Sequence, residues 1–266
     1  MLMENEKIAL LQRKKKEQSK IAMLTAYDFN SALKCDISGV DVILVGDSLG
    51  RMVQGNEDAL NVTITEMMYH TRIVAKGVRM ALLVADMPYQ TYETPEDAVK
   101  NAKLLVEQGG CDAVMLQGRS VAPSVKAIVE AGIPVFGCVG MDPSLIADLG
   151  PYSSRSENPK EEYAVVLKAA LELERAGCSA IVLRTIPASL GRHITQLLKI
   201  PVIGIGAGKN VDGQLLLFHD MMGITDDFRA KHVRRYAHLS QVMLQGVRSY
   251  ISDVERGNYP SEDHEY

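Results

Sequence analysis

Eight times along this chain a short run of aliphatic and β-branched residues is followed by a longer segment with helical periodicity, and that alternation restricts the fold more than any other feature. The runs are 21–26 (IAMLTA), 42–46 (VILVG), 81–86 (ALLVAD), 112–117 (DAVMLQ), 133–139 (IPVFGCV), 179–184 (SAIVLR), 200–206 (IPVIGIG) and 214–218 (QLLLF). They are nearly continuous in apolar character, as strands of a parallel sheet buried on both faces must be. The helices between them are marked by their ends. Thr94-Pro95-Glu96-Asp97 supplies an N-cap, a first-turn proline and two acids at the positive end of the helix dipole, and Gly109-Gly110 closes that helix. Asn158-Pro159-Lys160-Glu161-Glu162 opens another that runs to Ala176-Gly177, and Gly39 and Gly132 stand ahead of the second and fifth strands as helix C-caps would.

Two parallel α/β architectures fit this grammar, the closed barrel and the open doubly wound sheet. An open sheet would carry a Gly-rich phosphate turn after its first strand, where this chain has Thr25-Ala26-Tyr27-Asp28. The glycines come instead after the seventh strand, at Gly204-Ile205-Gly206-Ala207-Gly208, where barrels commonly bind an anion. The length of 266 residues also suits a barrel, which takes roughly 250. Residues 1–266 are therefore expected to form a single (β/α)8 TIM barrel with a C-terminal helical extension from about Phe228 to Val254. Hydrophobic residues make up 47% with no Trp, so the core is aliphatic.

The net charge of −4 leaves no basic face able to track a phosphate backbone, which argues against nucleic acid as a partner. The cluster Arg13-Lys14-Lys15-Lys16 reads as a solvated helix face. The charged first twenty residues and the lack of an apolar run near the ~20 residues of a membrane span lead us to expect a cytoplasmic protein without a membrane partner. Cys35, Cys111, Cys138 and Cys178 have no Cys-x-x-Cys spacing, which points to reduced thiols rather than zinc or disulfides.

A barrel places its active site at the C-terminal ends of its strands. Those ends carry Asp28, Asp47-Ser48, Asp86, Gln117, Cys138, Arg184 and the Gly204–Gly208 loop. Asp47 and Asp86 both finish apolar strands, so a barrel aims both at one mouth, where two carboxylates suit a hard cation such as Mg²⁺. The competing reading is that each aspartate caps a helix or bonds a neighbouring loop. The glycine segment serves equally as tight-turn geometry, His70 reads better as a satisfied interhelical residue than as a base, and His219-Asp220 is open between the two readings.

The stretches VDVILVGDSLG (Val40–Gly50), TEMMYHTRIVAKG (Thr65–Gly77), LLVADMPYQTYE (Leu82–Glu93), IPVIGIGAGKNVDGQLLLFHDMMGI (Ile200–Ile224) and the terminal YPSEDHEY resemble the ketopantoate hydroxymethyltransferase family. The similarity runs from about Ile21 to the C-terminus. The resemblance implies a decameric (β/α)8 barrel that transfers a hydroxymethyl group from 5,10-methylenetetrahydrofolate to 2-oxoisovalerate in pantothenate biosynthesis. It implies that Mg²⁺, held at Asp47 and Asp86, chelates the 2-oxo acid and stabilises its enolate as a Lewis acid. Ser48 would hydrogen-bond the substrate carboxylate, and a glutamate after the sixth strand would be the general base.

The chain departs from that pattern at four positions. Where the family has Val-Lys-Leu-Glu-Gly, this chain has Val114-Met115-Leu116-Gln117-Gly118, so the substrate-binding positions include Met115 in place of lysine and Gln117 in place of an acid. The family's Gly-His is Gly137-Cys138, and its Leu-Glu is Leu183-Arg184, which puts a cation at the general-base position. Arginine stays protonated, and losing a general base typically costs about 10²–10⁴ in rate. Asp47, Asp86 and Arg184 sum to the −1 that two Asp, two Glu, one Lys and Mg²⁺ would give in the family. Repulsion between a guanidinium and Mg²⁺ about 5 Å apart is roughly 7 kcal/mol at an effective dielectric near 20, so Arg184 is expected to take over the metal's electrostatic role. Three functions follow: a hydroxymethyltransferase in which Cys138 or a water replaces the base, a related enolate-forming enzyme on another 2-oxo acid, or a non-catalytic binding or partner subunit.

Overall fold

The apolar runs pair in chain order, each parallel to the next, and the last returns to the first, closing an eight-stranded barrel. The computed structural model describes residues 6–140, 159–225 and 230–266. Its strands are β1 (Ile21–Thr25), β2 (Val42–Val45), β3 (Leu82–Asp86), β4 (Ala113–Gln117), β5 (Val135–Gly140), β6 (Ala180–Arg184), β7 (Val202–Ile205) and β8 (Gly213–Leu216). Each lies within about two residues of the bounds expected from sequence. Helices α1 (Glu6–Lys16), α2 (Phe29–Ile37), α3 (Leu49–Met52), α4 (Ile64–Ala75), α5 (Pro95–Leu104), α6 (Ala122–Glu130), α7 (Pro159–Ala176) and α8 (Ala188–Leu197) accompany them, but the seven residues between β7 and β8 are too few for a covering helix and form none, a correction to the alternation expected from sequence. β2, β3, β4 and β5 are buried along their whole length, which is why they carry no polar alternation.

Local chemistry sets the helix ends. The Thr94 hydroxyl accepts from the Asp97 N–H to start α5, and the chain leaves that helix through a π-turn, Leu105–Gly109, ahead of β4. Thr63 and Glu66 close a reciprocal capping box at the start of α4. Asp28 accepts from the N–H groups of Asn30 and Ser31, so this strand-end acid is a helix cap.

The basic run of α1 is not simply solvated, a correction to the sequence reading. Lys14 Nζ lies 2.5 Å from Asp41 Oδ1 and Lys15 Nζ 2.7 Å from Asp212 Oδ2, while Lys7 Nζ reaches Asp112 Oδ2 at 2.8 Å. Those aspartates precede β2, β8 and β4, so α1 is tied across the N-terminal end of the barrel. Ion pairs with residues far along the chain leave no mark in local charge pattern.

The chain divides into two compact units, Met1–Leu216 and Leu217–Tyr266. The second contains α9 (Phe218–Met222) and α10 (Leu239–Glu255). The expected helix from Phe228 to Val254 is corrected: Phe228 lies outside the described residues, and 230–238 are not helical. There the backbone N–H of Tyr236 donates to Met221 O and Arg235 Nη2 donates to Thr225 O, bonds incompatible with a continuous helical ladder. α10 has no buried residue and exposes Val242, Met243, Leu244, Val247, Tyr250 and Ile251. Among the described residues no helix is long and apolar enough to cross a membrane.

Candidate active site

β2 ends at Val45 and β3 at Asp86, and the short turn after β2 brings Asp47 to the same end of the barrel. The Asp47 backbone N–H donates to Asp86 Oδ2 at 2.8 Å, and Asp86 is fully buried. Gly46 leaves room for this approach: a Cβ there would stand 2.9 Å from Ser48 Oγ and 3.4 Å from Asp86 Oδ2. Ser48 shares a 2.8 Å hydrogen bond with the Tyr27 hydroxyl. Burial pushes that phenol well above its ordinary range, the Ser48 and Thr25 hydrogen bonds pull the other way, and the nearby Asp47 and Asp86 charges add to the rise. Tyr27 is thus a neutral hydroxyl that orients Ser48. Its own carbonyl bonds His70 Nδ1 at 2.7 Å, which places His70 in a structural role.

From β4, Gln117 reaches across β3 and donates from Nε2 to Asp47 Oδ2 at 2.8 Å. From β6, Arg184 Nη2 stands 3.8 Å from Asp47 Oδ1. The β5–β6 edge is tight at this point, because Gly140 pairs with Arg184 and a Cβ on it would lie 2.1 Å from Arg184 O. Thr185, the next residue, has φ 50°, a left-handed conformation that a β-branched residue adopts only under constraint. Strand end and strained turn together fix where the guanidinium starts.

Met115 pairs in register with Asp86, and Cys138 with Gln117; both are buried. Residues in register on parallel strands share a face, so Cys138 lies beside Gln117, and Met115 presents an apolar surface one step deeper on the Gln117 face. The structure therefore gathers Asp86, Gln117 and Arg184 around Asp47, with Ser48 next to Asp47 in the chain and bonded to Tyr27, and sets Met115 and Cys138 in the adjoining wall. The Gly204–Gly208 loop is held by the protein itself, Gln214 Nε2 donating to Gly208 O at 2.9 Å. In the second unit Asp220 accepts from the Thr225 hydroxyl at 2.8 Å, a structural bond.

Two residues escaped sequence reasoning. Tyr27 follows the end of β1 next to Asp28, and its polar partner Ser48 is twenty-one residues away. Arg119, two residues past the end of β4, keeps a buried Nε with no hydrogen-bond partner among the described residues. Its position after a strand-end glycine was the available signal.

The donor set does not fit a divalent cation. Mg²⁺ takes an octahedron of oxygens, commonly one or two carboxylates completed by waters and substrate, so donors already on those carboxylates oppose it. Here one Asp47 oxygen faces a guanidinium, the other an amide N–H, and one Asp86 oxygen accepts a backbone N–H. No group of three or more His, Cys, Asp or Glu side chains able to hold a metal occurs among the described residues.

A closed parallel barrel with carboxylates, an arginine and an amide converging at its C-terminal mouth is a (β/α)8 barrel with a polar, charged cluster at that mouth. The chain belongs to the ketopantoate hydroxymethyltransferase family, whose model matches residues 5–262. A 3-methyl-2-oxobutanoate hydroxymethyltransferase of Thermoanaerobacter sp. (strain X514) is 44% identical over 96% of this chain and 94% of that protein. The Chlorobaculum tepidum protein of the same name is 45% identical over 95% of this chain and 93% of its own length. Among solved structures, phosphonopyruvate hydrolase in complex with oxalate and Mg²⁺ superposes with a TM-score of 0.62 at 14% identity, covering 95% of this chain and 88% of that one. A 2,3-dimethylmalate lyase gives 0.61 at 14% identity, over 98% and 88%. These two likenesses establish a shared fold.

Proposed function

We propose that the barrel mouth binds a small 2-oxo acid, with Arg184 receiving the carboxylate in place of a metal, and that chemistry occurs at the carbon next to the carbonyl. The observation that carries this reading is Arg184 Nη2 standing 3.8 Å from Asp47 while Gln117 holds the other Asp47 oxygen. A guanidinium fork fits a carboxylate bidentately, and Ser48, oriented by Tyr27, offers a further polar contact. The names of the relatives favour hydroxymethyl transfer to 3-methyl-2-oxobutanoate as the reaction, with 5,10-methylenetetrahydrofolate as the donor that the family resemblance implies. The cation at the general-base position favours a slower reaction, with a water or Cys138 left to take the proton from the carbon next to the carbonyl. The exposed apolar side chains of α10 support assembly into a homo-oligomer, the decamer of the resemblance, which light scattering measures directly.

The test is NMR of 3-methyl-2-oxobutanoate in deuterated buffer, with and without methylenetetrahydrofolate and without added metal. Deuterium exchange at the carbon next to the carbonyl is expected in both arms, with hydroxymethylated product only where folate is present. Neither exchange nor product, together with no thermal stabilisation by the acid, would overturn the reading.

A further inference from the structure

β7 returns to β8 through Gly206–Asp212 without a helix, and the end of that connection meets the C-terminal turns of α1 and α8 at the N-terminal end of the barrel. The three segments wall a cavity of about 570 Å³, whose lining includes Lys15, Ser19, Lys20, Arg192, Asn210 and Asp212. Three of these are cations and one is an acid, and the rest of the lining is uncharged, which leaves an excess of +2. In a chain of net charge −4 that is a local reversal of sign.

A surface lysine or arginine ordinarily loses rotamer freedom when it closes on a ligand. Here the three charged heads are already placed, largely by neutral acceptors. Lys20 Nζ donates to Val211 O at 2.5 Å, and Lys15 Nζ to Thr195 O at 3.1 Å as well as to Asp212 Oδ2 at 2.7 Å. With the Asn210 amide turned so that its oxygen meets donors, that oxygen accepts from Arg192 Nε at 3.1 Å and Nη2 at 2.8 Å. A carbonyl or amide oxygen fixes a cation without neutralising it. Asp212 therefore balances Lys15, and Lys20 and Arg192 keep both their charge and further N–H groups, since an ammonium carries three donors and a guanidinium five.

Positive charge and fixed donors select an acceptor-rich anion. A phosphate monoester carries close to the matching −2 near neutral pH and offers three acceptor oxygens, and a guanidinium beside an ammonium suits it in shape and charge. The cavity falls within the roughly 300–1,000 Å³ of sites that hold small organic ligands, so it has room for more than the phosphoryl group. We infer that the N-terminal end of the barrel carries a second binding site, separate from the mouth, for a small organic phosphate. Its phosphoryl group sits between Lys20 and Arg192, and its organic part lies along the remaining wall. The occupant holds α1, α8 and the β7–β8 connection together. This inference stands independently of what the mouth binds.

The experiment is calorimetric titration of the full chain, at about 0.15 M ionic strength, with AMP, ribose 5-phosphate, inorganic phosphate, adenosine and ribose. At least one ester is expected to bind tenfold or more tighter than inorganic phosphate, and its phosphate-free partner not measurably. Arg192→Glu should weaken that ester at least tenfold and Lys20→Gln about threefold; both residues are exposed, so the melting temperature of the free chain should hardly change. Arg184→Ala should leave the ester's affinity within about twofold, which separates this site from the mouth. No binding by either ester, esters no tighter than inorganic phosphate, or a phosphate-free partner that binds equally well overturns the inference. So does an affinity that Arg192→Glu and Lys20→Gln leave unchanged, or one that Arg184→Ala abolishes.

Discussion

The two ends of the barrel use the same residue types to opposite effect. At the N-terminal end Asp41, Asp112 and Asp212 each pair with a lysine of α1 and each also accepts a backbone N–H, from Ala22, Leu83 and Val202 respectively. Each acid there has both its partners within the chain. At the C-terminal mouth Asp47 and Asp86 are likewise engaged, yet the cation stands off at 3.8 Å, Gln117 Oε1 has no partner among the described residues, and Thr185 holds a left-handed backbone. One end spends these acids on ion pairs within the chain, and the proposed oxo-acid site lies at the other.

The largest test of this division is at the mouth. Arg184→Ala removes a charge-assisted contact to the ligand carboxylate and should weaken 3-methyl-2-oxobutanoate binding about 100-fold, with little change in melting temperature. A melting temperature that fell in step with affinity would show that Arg184 belongs to the scaffold instead. Calorimetry and a thermal melt on the same preparation decide it.

The mirror experiment at the other end is Asp212→Ala, which leaves Lys15 Nζ and the Val202 N–H without their shared acceptor. Both side chains of the ion pair are mostly buried, so a loss of about 2 kcal/mol is expected. For a chain of this size that lowers the melting temperature by roughly 4–8 °C. Ligand affinity should stay within about twofold; a larger change would break the separation of the two ends.

The smallest effect concerns pH. Burial pushes the thiols of Cys111 and Cys178, which precede β4 and β6 at the N-terminal end, from 9.0 up to about 12. Folding therefore favours their protonated form. Their stabilising contribution is complete below pH 9 and is lost as pH rises towards 12, by about 1 kcal/mol for each thiol at pH 10. Urea unfolding at pH 8 and pH 10 should show that loss, and Cys178→Ala should reduce it. An alkaline limb that the substitution leaves unchanged would assign it to other groups.

The strands were legible because parallel strands buried on both faces announce themselves as apolar runs, and Thr94-Pro95 and Gly109-Gly110 punctuate a helix by local chemistry alone. The mouth was legible to the same depth: Asp47, Asp86, Gln117 and Arg184 stand out as polar residues where apolar runs stop. What stayed hidden depends on distant partners. The lysines of α1 looked solvated because Asp41 and Asp212 lie far along the sequence, and the chain before Leu239 looked helical because the bond from Tyr236 to Met221 O has no periodic signature. The unsatisfied Gln117 Oε1 was the least accessible of all, since it is defined by which groups fail to approach it.

The central proposal, that Arg184 and Gln117 stand in place of a metal at the mouth, is tested most directly by Mn²⁺ and Mg²⁺ calorimetry. The full chain should show no tight binding of either ion, and the doubly substituted Arg184→Glu, Gln117→Glu chain should gain it, because both Asp47 oxygens would then face acceptors rather than donors. Tight binding by the unsubstituted chain that is unchanged by the two substitutions would contradict the account.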